Sequence, residues 1–343
     1  MISSTQYLLL FTAAFVVVGA LTPVMRLIAI KSNFVDHPNT AHKSHAEATP
    51  YLGGVAIILG ILGVTYGALL TQENMRDNLW TATLLFGPAL ILGVVGLIDD
   101  RNALPPLPRF IAQSAAGVFT ALVIIETETV GNPTGNSLLD ALITIFWIVG
   151  ICNSINFFDN LDGGAAGTVA VICLGLLVIT YINGQFLVST LAIVTFAAML
   201  GFLVWNKSPA KIFMGDAGSL FLGTIVAVMT IRLDPSVQDK TFSFAIPILL
   251  LAVPILDTSV AVISRIRRRR SIFEGGQDHL SHRLTRKGFS RRQSACALWF
   301  LSAIFSGIAI YVATSGSHST SFLALSVIFW LGLLATFLNS ADE

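Results

Sequence analysis

Eleven predominantly apolar runs, separated by short polar segments, dominate the sequence. A helix that crosses a bilayer needs about 20 such residues, so the pattern predicts an all-α polytopic membrane protein with about eleven transmembrane helices. The first run lacks a basic leader and a small-residue cleavage site, so we expect a retained helix and not a signal peptide. The predicted spans are residues 7–30, 52–70, 80–98, 109–125, 138–155, 165–181, 186–205, 217–231, 242–263, 295–313 and 321–338.

Composition supports this class. Hydrophobic residues make up 54% of the chain, charged residues 11%, and the mean hydropathy is +0.78, whereas soluble domains carry about 25% charged residues. These values exclude a disordered chain, a secreted disulfide scaffold and a large extramembrane catalytic domain. No linker or internal repeat divides the chain, so residues 1–343 are expected to form a single integral membrane domain. Cys152, Cys173 and Cys296 lack metal-site spacing and are expected to be buried packing residues.

The loops between spans carry very unequal charge. Alternate loops, with their span edges, hold 17 of the 20 Lys and Arg residues, and the other loops hold Arg76, Arg232 and Lys240. Since positive residues favour the cytoplasmic side, we predict an outside N-terminus, an inside C-terminus and an active site on the cytoplasmic face. The 17 residues are Arg26, Lys31, Lys43, Arg101, Arg109, Lys207, Lys211, Arg265, Arg267, Arg268, Arg269, Arg270, Arg283, Arg286, Lys287, Arg291 and Arg292.

Three carboxylate-bearing clusters lie at this predicted face. Asp99 and Asp100 end the third span, and adjacent carboxylates suit divalent-metal or acid–base chemistry, although a solvated boundary pair is an equal alternative. Beyond the fifth span, Asn156, Asp159 and Asp162 would share one helix face if the helix continued, giving a hard-cation site in preference to a plain polar loop. Asp216 begins the eighth span, where the backbone N–H groups of the helix N-terminus could attract a phosphate. Alternatively, Asp216 could simply act as an N-cap.

The long loop at residues 264–294 is the fourth cluster. For its arginine run alone, the preferred interpretation is a signal for membrane orientation together with contact to anionic lipids. His279 and His282, three residues apart, could present two imidazoles to a phosphate or a metal other than zinc, in a loop expected to lie outside the packed bundle. Asp257, inside the ninth span, marks either function or a buried ion-pair partner.

Taken together and in order, these motifs resemble the polyprenyl-phosphate N-acetylhexosamine-1-phosphate transferases, the glycosyltransferase family 4 enzymes of the WecA, TagO and MraY type. The resemblance covers nearly the whole chain. The matching motifs are Asp36-x-Pro38-Asn39, His45, Pro50-Tyr51-Leu52-Gly53-Gly54, Gly96-Leu97-Ile98-Asp99-Asp100, Asn153-Ser154-Ile155-Asn156, Asp159-Asn160-Leu161-Asp162-Gly163, Phe213-Met214-Gly215-Asp216-Ala217-Gly218-Ser219 and the histidine-bearing basic loop.

The resemblance implies the reaction. A polyprenyl phosphate, such as undecaprenyl phosphate, attacks the sugar-bound phosphorus of a UDP-N-acetylhexosamine, most simply UDP-GlcNAc. The products are the lipid-diphospho-sugar and UMP, in a first membrane step of cell-envelope glycan synthesis such as that of lipopolysaccharide or teichoic acid. It implies Mg²⁺, with Mn²⁺ as an alternative, a multi-pass location in the cytoplasmic membrane and no nucleic-acid partner, and it leaves a homodimer open.

The resemblance also implies residue roles. Metal ligands would be Asn156 and Asp216, and catalytic residues would be Asp99, Asp100, Asp159 and His279. Substrate-binding residues would be His45, Asp162, Asn206, Phe213, His282 and Arg283.

Departures from the family pattern bear on the substrate. Asn160 and Gly164 stand where Gly and Leu are usual, His42 replaces an expected Arg, and Ser281 takes the place of a third histidine. They make a MraY-type phospho-MurNAc-pentapeptide transferase the alternative and a simple UDP-HexNAc the preferred donor. A transporter would instead place ionisable residues near the membrane midplane, and a lipid-binding scaffold would show no metal dependence.

Overall fold

The computed structural model describes residues 3–36, 49–71, 75–126, 134–235, 240–272 and 276–340. Helices dominate these residues, with one antiparallel ribbon of β1 (Val35–Asp36) and β2 (Thr49–Pro50). The helices are α1 Ser4–Lys31, α2 Gly53–Leu69, α3 Met75–Arg101, α4 Pro106–Glu126, α5 Ser137–Phe158, α6 Gly164–Ile182, α7 Phe186–Asn206, α8 Gly215–Ile231, α9 Lys240–Leu250, α10 Ala252–Arg267, α11 Leu280–Arg286, α12 Arg291–Ser315 and α13 Thr320–Asn339.

The helices agree with the predicted all-α membrane class. Within the described ranges, seven helices are long and apolar enough to cross a membrane, and α2 and α8 are apolar but only 17 residues long. Each of the eleven predicted spans coincides with helical structure, while the number of membrane crossings stays a prediction. The ninth span is not one straight helix, because α9 and α10 meet at an angle of 73°.

Proline explains this break. Within a helix the ring of Pro254 would clash with the carbonyl of Leu250, four residues earlier, and α9 ends at Leu250. The Trp330 indole donates a hydrogen bond to the carbonyl oxygen of Ala252, at 2.9 Å. Because of the bend, α10, which carries Asp257, runs in a different direction from α9.

Helix α8 occupies the centre of the bundle, against α2, α3 and α5. Every residue from Ala217 to Thr230 is buried, as expected of a helix that is apolar on all sides. Glycines permit very close backbone contact: a Cβ on Gly54 would lie 2.2 Å from the Gly218 nitrogen, and one on Gly96 would lie 2.3 Å from the Asp216 carbonyl oxygen. The start of α8 is therefore fixed against α2 and α3.

Two expectations need correction. Cys152 and Cys173 are buried as predicted, but Cys296 is exposed on α12, so its assignment as a buried packing residue was wrong. The histidine loop does not lie outside the bundle, because Asp278, His279, Ser281 and Arg283 are all buried. The sequence of this loop forms α11, a helix of seven residues, and its charged side chains find internal partners.

Candidate active site

Three helix ends bring the predicted carboxylates together. The C-terminal end of α3 supplies Asp99 and Asp100, the end of α5 supplies Asn156 and Asp159, and the start of α8 supplies Asp216. The Asn156 amide nitrogen donates to Asp216 Oδ1 at 2.7 Å, and Asp100 accepts the backbone N–H of Asp216 at 2.7 Å. The sequence motifs separated by more than 100 residues thus form one polar cluster, which we call the acidic cluster.

Asp100 holds the N-terminus of α8. Its two carboxylate oxygens accept the backbone N–H groups of Asp216, at 2.7 Å, and Ala217, at 3.1 Å, where the positive end of the helix dipole favours an anion. Gly215 makes this approach feasible, because its φ is +67° and a Cβ there would lie 2.5 Å from Asp100 Oδ2. The residue at the N-cap position is Met214, without a side-chain cap, so the alternative that Asp216 is merely an N-cap was wrong.

Arg109, from the first turn of α4, lies between two carboxylates of the acidic cluster. Its Nη1 is 2.8 Å from Asp99 Oδ2 and 3.5 Å from Asp216 Oδ2. Asp99 also accepts the backbone N–H of Leu104 in the turn between α3 and α4. Sequence reasoning did not place Arg109 in the site, although the proline-rich turn that folds α4 back onto α3 was a usable signal.

Asn156 and Asp216 fit a hard cation. The Asn156 amide nitrogen donates to Asp216 Oδ1 and, at 2.9 Å, to Ser219 Oγ, which leaves Asn156 Oδ1 without a hydrogen bond from any described residue. Among the described residues no three His, Cys, Asp or Glu side chains form a group that could hold a metal. Mg²⁺, however, takes one or two carboxylates and completes its shell with water and substrate phosphates, so this smaller donor set suffices.

Asp159 is the one unpartnered carboxylate of the site. It occupies the C-cap position of α5, where its backbone N–H donates to the Asn156 carbonyl, and its carboxylate makes no hydrogen bond or ion pair with another described residue. Burial, and then the charges of Asp216, Asp100 and Asp162, raise its pKa well above the usual range for an aspartate. A cation or a phosphate-bound metal nearby would attract the Asp159 carboxylate and oppose this rise in its pKa.

Asp162 does not share a helix face with Asn156, and that prediction was wrong. The helix ends at Phe158, and the next residue, Asp159, has non-helical backbone angles (φ −79°, ψ 43°), so the chain leaves the helical path before Asp162. The Asp162 carboxylate instead accepts hydrogen bonds from the Ala210 N–H, at 3.2 Å, and from Arg291, at 3.0 Å.

Asn206 is likewise engaged inside the protein. It is 2% exposed, its Oδ1 accepts the Gly163 N–H at 3.0 Å, and its Nδ2 donates to the Ile212 carbonyl at 2.9 Å. In this structure it holds the loop after α7 against the start of α6 and offers no free polar atom to a uridine.

Phe213 is half-buried beside the start of α2. Its backbone exchanges hydrogen bonds with Pro50 O, at 2.9 Å, and Gly53 N, at 3.0 Å, and its ring centroid is 6.3 Å from that of Tyr51. The predicted substrate residue His45 lies outside the described residues, as does His42.

His279, the N-cap of α11, and His282, within α11, differ in burial and in hydrogen bonding. His279 is 5% exposed, and its Nδ1 lies 2.7 Å from Asp257 Oδ2, which answers the question about Asp257: it has a buried partner. His282 is half-buried, and its ring makes no hydrogen bond with a described residue. Burial, then the neighbouring His279, lower the pKa of His282 to about 4, so its imidazole is neutral at pH 7.

Arg283 faces the interior and not a substrate. It is 1% exposed, and its guanidinium donates to the Asp278 carbonyl at 2.8 Å, to Ser264 Oγ at 2.7 Å and to the Phe337 carbonyl. Because its guanidinium donates to these three internal acceptors, Arg283 anchors α11 in this structure and does not have the predicted role of a substrate contact.

Comparison with known proteins adds an independent observation. Residues 82–234 match the sequence model of glycosyl transferase family 4. The chain is 32% identical over 339 residues to a probable undecaprenyl-phosphate N-acetylglucosaminyl 1-phosphate transferase of Bacillus subtilis, covering 97% of this chain and 92% of that protein. It is 33% identical to decaprenyl-phosphate N-acetylglucosaminephosphotransferase of Mycobacterium tuberculosis, over 89% and 80% of the two chains.

A relative named for another activity is more distant. The chain is 29% identical to the phospho-N-acetylmuramoyl-pentapeptide-transferase of Mycolicibacterium gilvum, covering 89% of this chain and 96% of that protein. All three relatives have names that describe transfer of a phosphosugar or phospho-glycopeptide group.

Proposed function

The chain belongs to glycosyl transferase family 4 and is a phosphosugar transferase of the membrane, and from that premise we propose its substrates. The donor is UDP-N-acetylglucosamine and the acceptor is a polyprenyl phosphate, most simply undecaprenyl phosphate. A phosphate oxygen of the lipid bonds to the sugar-bound phosphorus of the donor, the bond from that phosphorus to the bridging oxygen breaks, and UMP leaves. The acidic cluster, formed where three helix ends meet, is the observation that carries the proposal.

Charge repulsion is the main barrier that the site must lower. A phosphate monoester is largely dianionic at pH 7, so the lipid needs little deprotonation before it attacks. Three phosphates must then approach one another, and fixed positive groups lower the cost of this approach. Arg109, between Asp99 and Asp216, is the cation of the described chain already held in the acidic cluster.

Asn156 and Asp216 are the proposed Mg²⁺ ligands. When bound, Mg²⁺ would polarise the diphosphate and offset its negative charge. Asn156 would contribute its Oδ1, because its amide nitrogen is held by hydrogen bonds to Asp216 Oδ1 and Ser219 Oγ. The carboxylate of Asp159, which has no partner among the described residues, would lie next to this position, where a cation would favour its ionised form.

The remaining roles follow from location. Asp99, with Arg109, is proposed to meet the lipid phosphate, while Asp100 acts through the start of α8. His282, neutral and half-buried, is proposed to contact the diphosphate or sugar. Phe213 is proposed to line the uridine site, with Asp162 and Asn206 shaping that site through the loop that they hold, and His45 remains a proposed substrate contact.

The cytoplasmic location of the site is also part of the proposal, supported by the 17 to 3 division of positive charges. It can be tested by cysteine labelling in whole cells, after Cys296, which is exposed, is replaced by Ser. A cysteine at Thr134 should react with an impermeant maleimide from outside, and one at Lys287 should react only after permeabilisation. The reverse pattern at either position would contradict the predicted topology.

The decisive experiment is a product assay with the purified full-length chain. With UDP-GlcNAc, undecaprenyl phosphate and Mg²⁺, we expect release of UMP and formation of the lipid-diphospho-sugar, and loss of both when EDTA is added. UDP-MurNAc-pentapeptide, offered in parallel, should give much slower release. Faster turnover of that donor would establish the alternative substrate, and no UMP with either donor would refute the proposed reaction.

A further inference from the structure

Asp257 lies outside the acidic cluster, is 1% exposed and is buried in α10. We propose that Asp257 is a positioning residue for the transfer reaction, which fixes His279 and the start of α11 so that α11 presents His282 to the substrate. The inference rests on the proposed function for the role of His282. Its geometric part can be tested without measuring activity.

Both oxygens of the Asp257 carboxylate are committed to α11. Oδ2 lies 2.7 Å from His279 Nδ1, and Oδ1 accepts the backbone N–H of Leu280, also at 2.7 Å. One side chain therefore fixes both the imidazole that precedes α11 and the first backbone group of the helix. Neither bond can be reproduced by an apolar side chain, which would otherwise suit this buried position better.

The two nitrogens of His279 have partners that define its tautomer. A carboxylate only accepts hydrogen bonds, so Nδ1 carries the hydrogen, and a guanidinium only donates, so the lone pair of Nε2, which lies 3.4 Å from Arg265 Nη2, is the acceptor. Asp257 and Arg265 together favour the tautomer of His279 that is protonated at Nδ1. The partner on one ring nitrogen commonly sets the state of the other in this way.

Other contacts complete the anchoring of α11. Ser281 Oγ is hydrogen-bonded to Asn160 Oδ1, next to Asp159 in the chain, and the His279 ring packs edge-on against Phe157, with centroids 5.9 Å apart. Asn160 and Ser281 are two of the positions where the sequence departs from the family pattern, and here they contact each other. The ring of His279 is held by these contacts, whereas the ring of His282 makes no hydrogen bond with a described residue. The His282 ring is therefore available to a ligand.

The first test is a change of one atom. In Asp257→Asn the amide oxygen can still accept from Leu280, but the amide nitrogen donates to His279 Nδ1 and forces the hydrogen to Nε2, where it opposes Arg265. We expect kcat to fall about ten- to a hundredfold, as when a supporting partner of a functional histidine is removed, with KM for UDP-GlcNAc little changed. Unchanged kcat would overturn the proposal.

A double-mutant cycle separates positioning from general stability. If Asp257 acts through His279, Asp257→Asn should cause no further loss of kcat in a His279→Gln background; additive losses would overturn the proposal. The matched control is Thr180→Val. Thr180 is a fully buried residue of α6 that bonds within its own helix, and its replacement should leave kcat unchanged.

Nitrogen-15 NMR of histidine-labelled protein provides the activity-independent measurement. The wild-type spectrum should contain one neutral histidine protonated at Nδ1 that disappears in His279→Gln, and Asp257→Asn, if folded, should move that signal to the Nε2-protonated form. Absence of the Nδ1-protonated signal from the wild type would overturn the proposal, even if Asp257→Asn did not fold. Failure of the wild type to release UMP would instead refute the proposed function, whatever the NMR result.

Discussion

Replacing Asp100 would distinguish a structural carboxylate from one that meets the lipid. In the structure this side chain accepts two backbone N–H groups at the start of α8, and one of them belongs to Ala217, which is fully buried. Asp100→Ala removes a charged cap from a helix end. The cost for such a cap reaches about 2 kcal/mol, and we expect this upper value because water has little access to Ala217.

The expected result is a coupled loss of stability and turnover. A change of about 2 kcal/mol lowers the folded-to-unfolded ratio roughly thirtyfold, and kcat should fall because the same amides position Asp216. Asp100→Asn keeps one acceptor oxygen and should cost about 1 kcal/mol. Unfolding by SDS in mixed micelles measures the stability, and initial rates over a range of undecaprenyl phosphate give kcat and KM.

Asp140→Asn is the matched control. Asp140 lies in the first turn of α5, about 24 Å along the helix from Asn156 at 1.5 Å per residue. Its replacement should change the free energy of unfolding by less than about 0.5 kcal/mol. If Asp100→Ala unfolded like the wild type while KM for the lipid rose, Asp100 would be a substrate contact, and the role in holding α8 would be refuted.

Three further predictions follow from the site. Asp216→Asn should preserve the fold but lower activity by orders of magnitude and raise the Mg²⁺ concentration required; an unchanged Mg²⁺ titration would remove Asp216 from the metal site. Gly96→Ala should destabilise the protein, because its Cβ would lie 2.3 Å from the Asp216 carbonyl oxygen, whereas Gly63→Ala, with no atom within 4 Å, should be neutral or stabilising in thermal unfolding. His282 binds its proton at about pH 4 when folded and near pH 6.5 when unfolded, so stability should fall as pH is lowered through that interval. In His282→Gln, thermal unfolding between pH 7 and 4 should show a smaller decline, and an equal decline would contradict the lowered pKa.

The sequence located the helices and the acidic cluster well, for a physical reason. Apolar length is a property of one segment, and span ends that lie on the same side of a membrane meet at one surface. Asp99, Asn156 and Asp216 could therefore be expected near one another before any contact was known.

Hydrogen-bond partners could not be predicted in the same way. The pairing of Asp257 with His279 depends on how a loop packs back onto α10, and the direction of Asp162 depends on where α5 ends. The family resemblance implied a substrate contact for Arg283, yet its guanidinium donates to three internal acceptors. Such outcomes depend on tertiary distances that charge and spacing do not specify.

Arg109 has a consequence for how the protein is made. Many metal-dependent proteins stay unfolded until their ion arrives, because the binding site forms only together with the fold. Here the guanidinium of Arg109 already bridges Asp99 and Asp216, so the protein's own sequence supplies a positive charge for these carboxylates. Insertion and helix assembly therefore do not depend on the proposed Mg²⁺ to offset the charge of these two carboxylates.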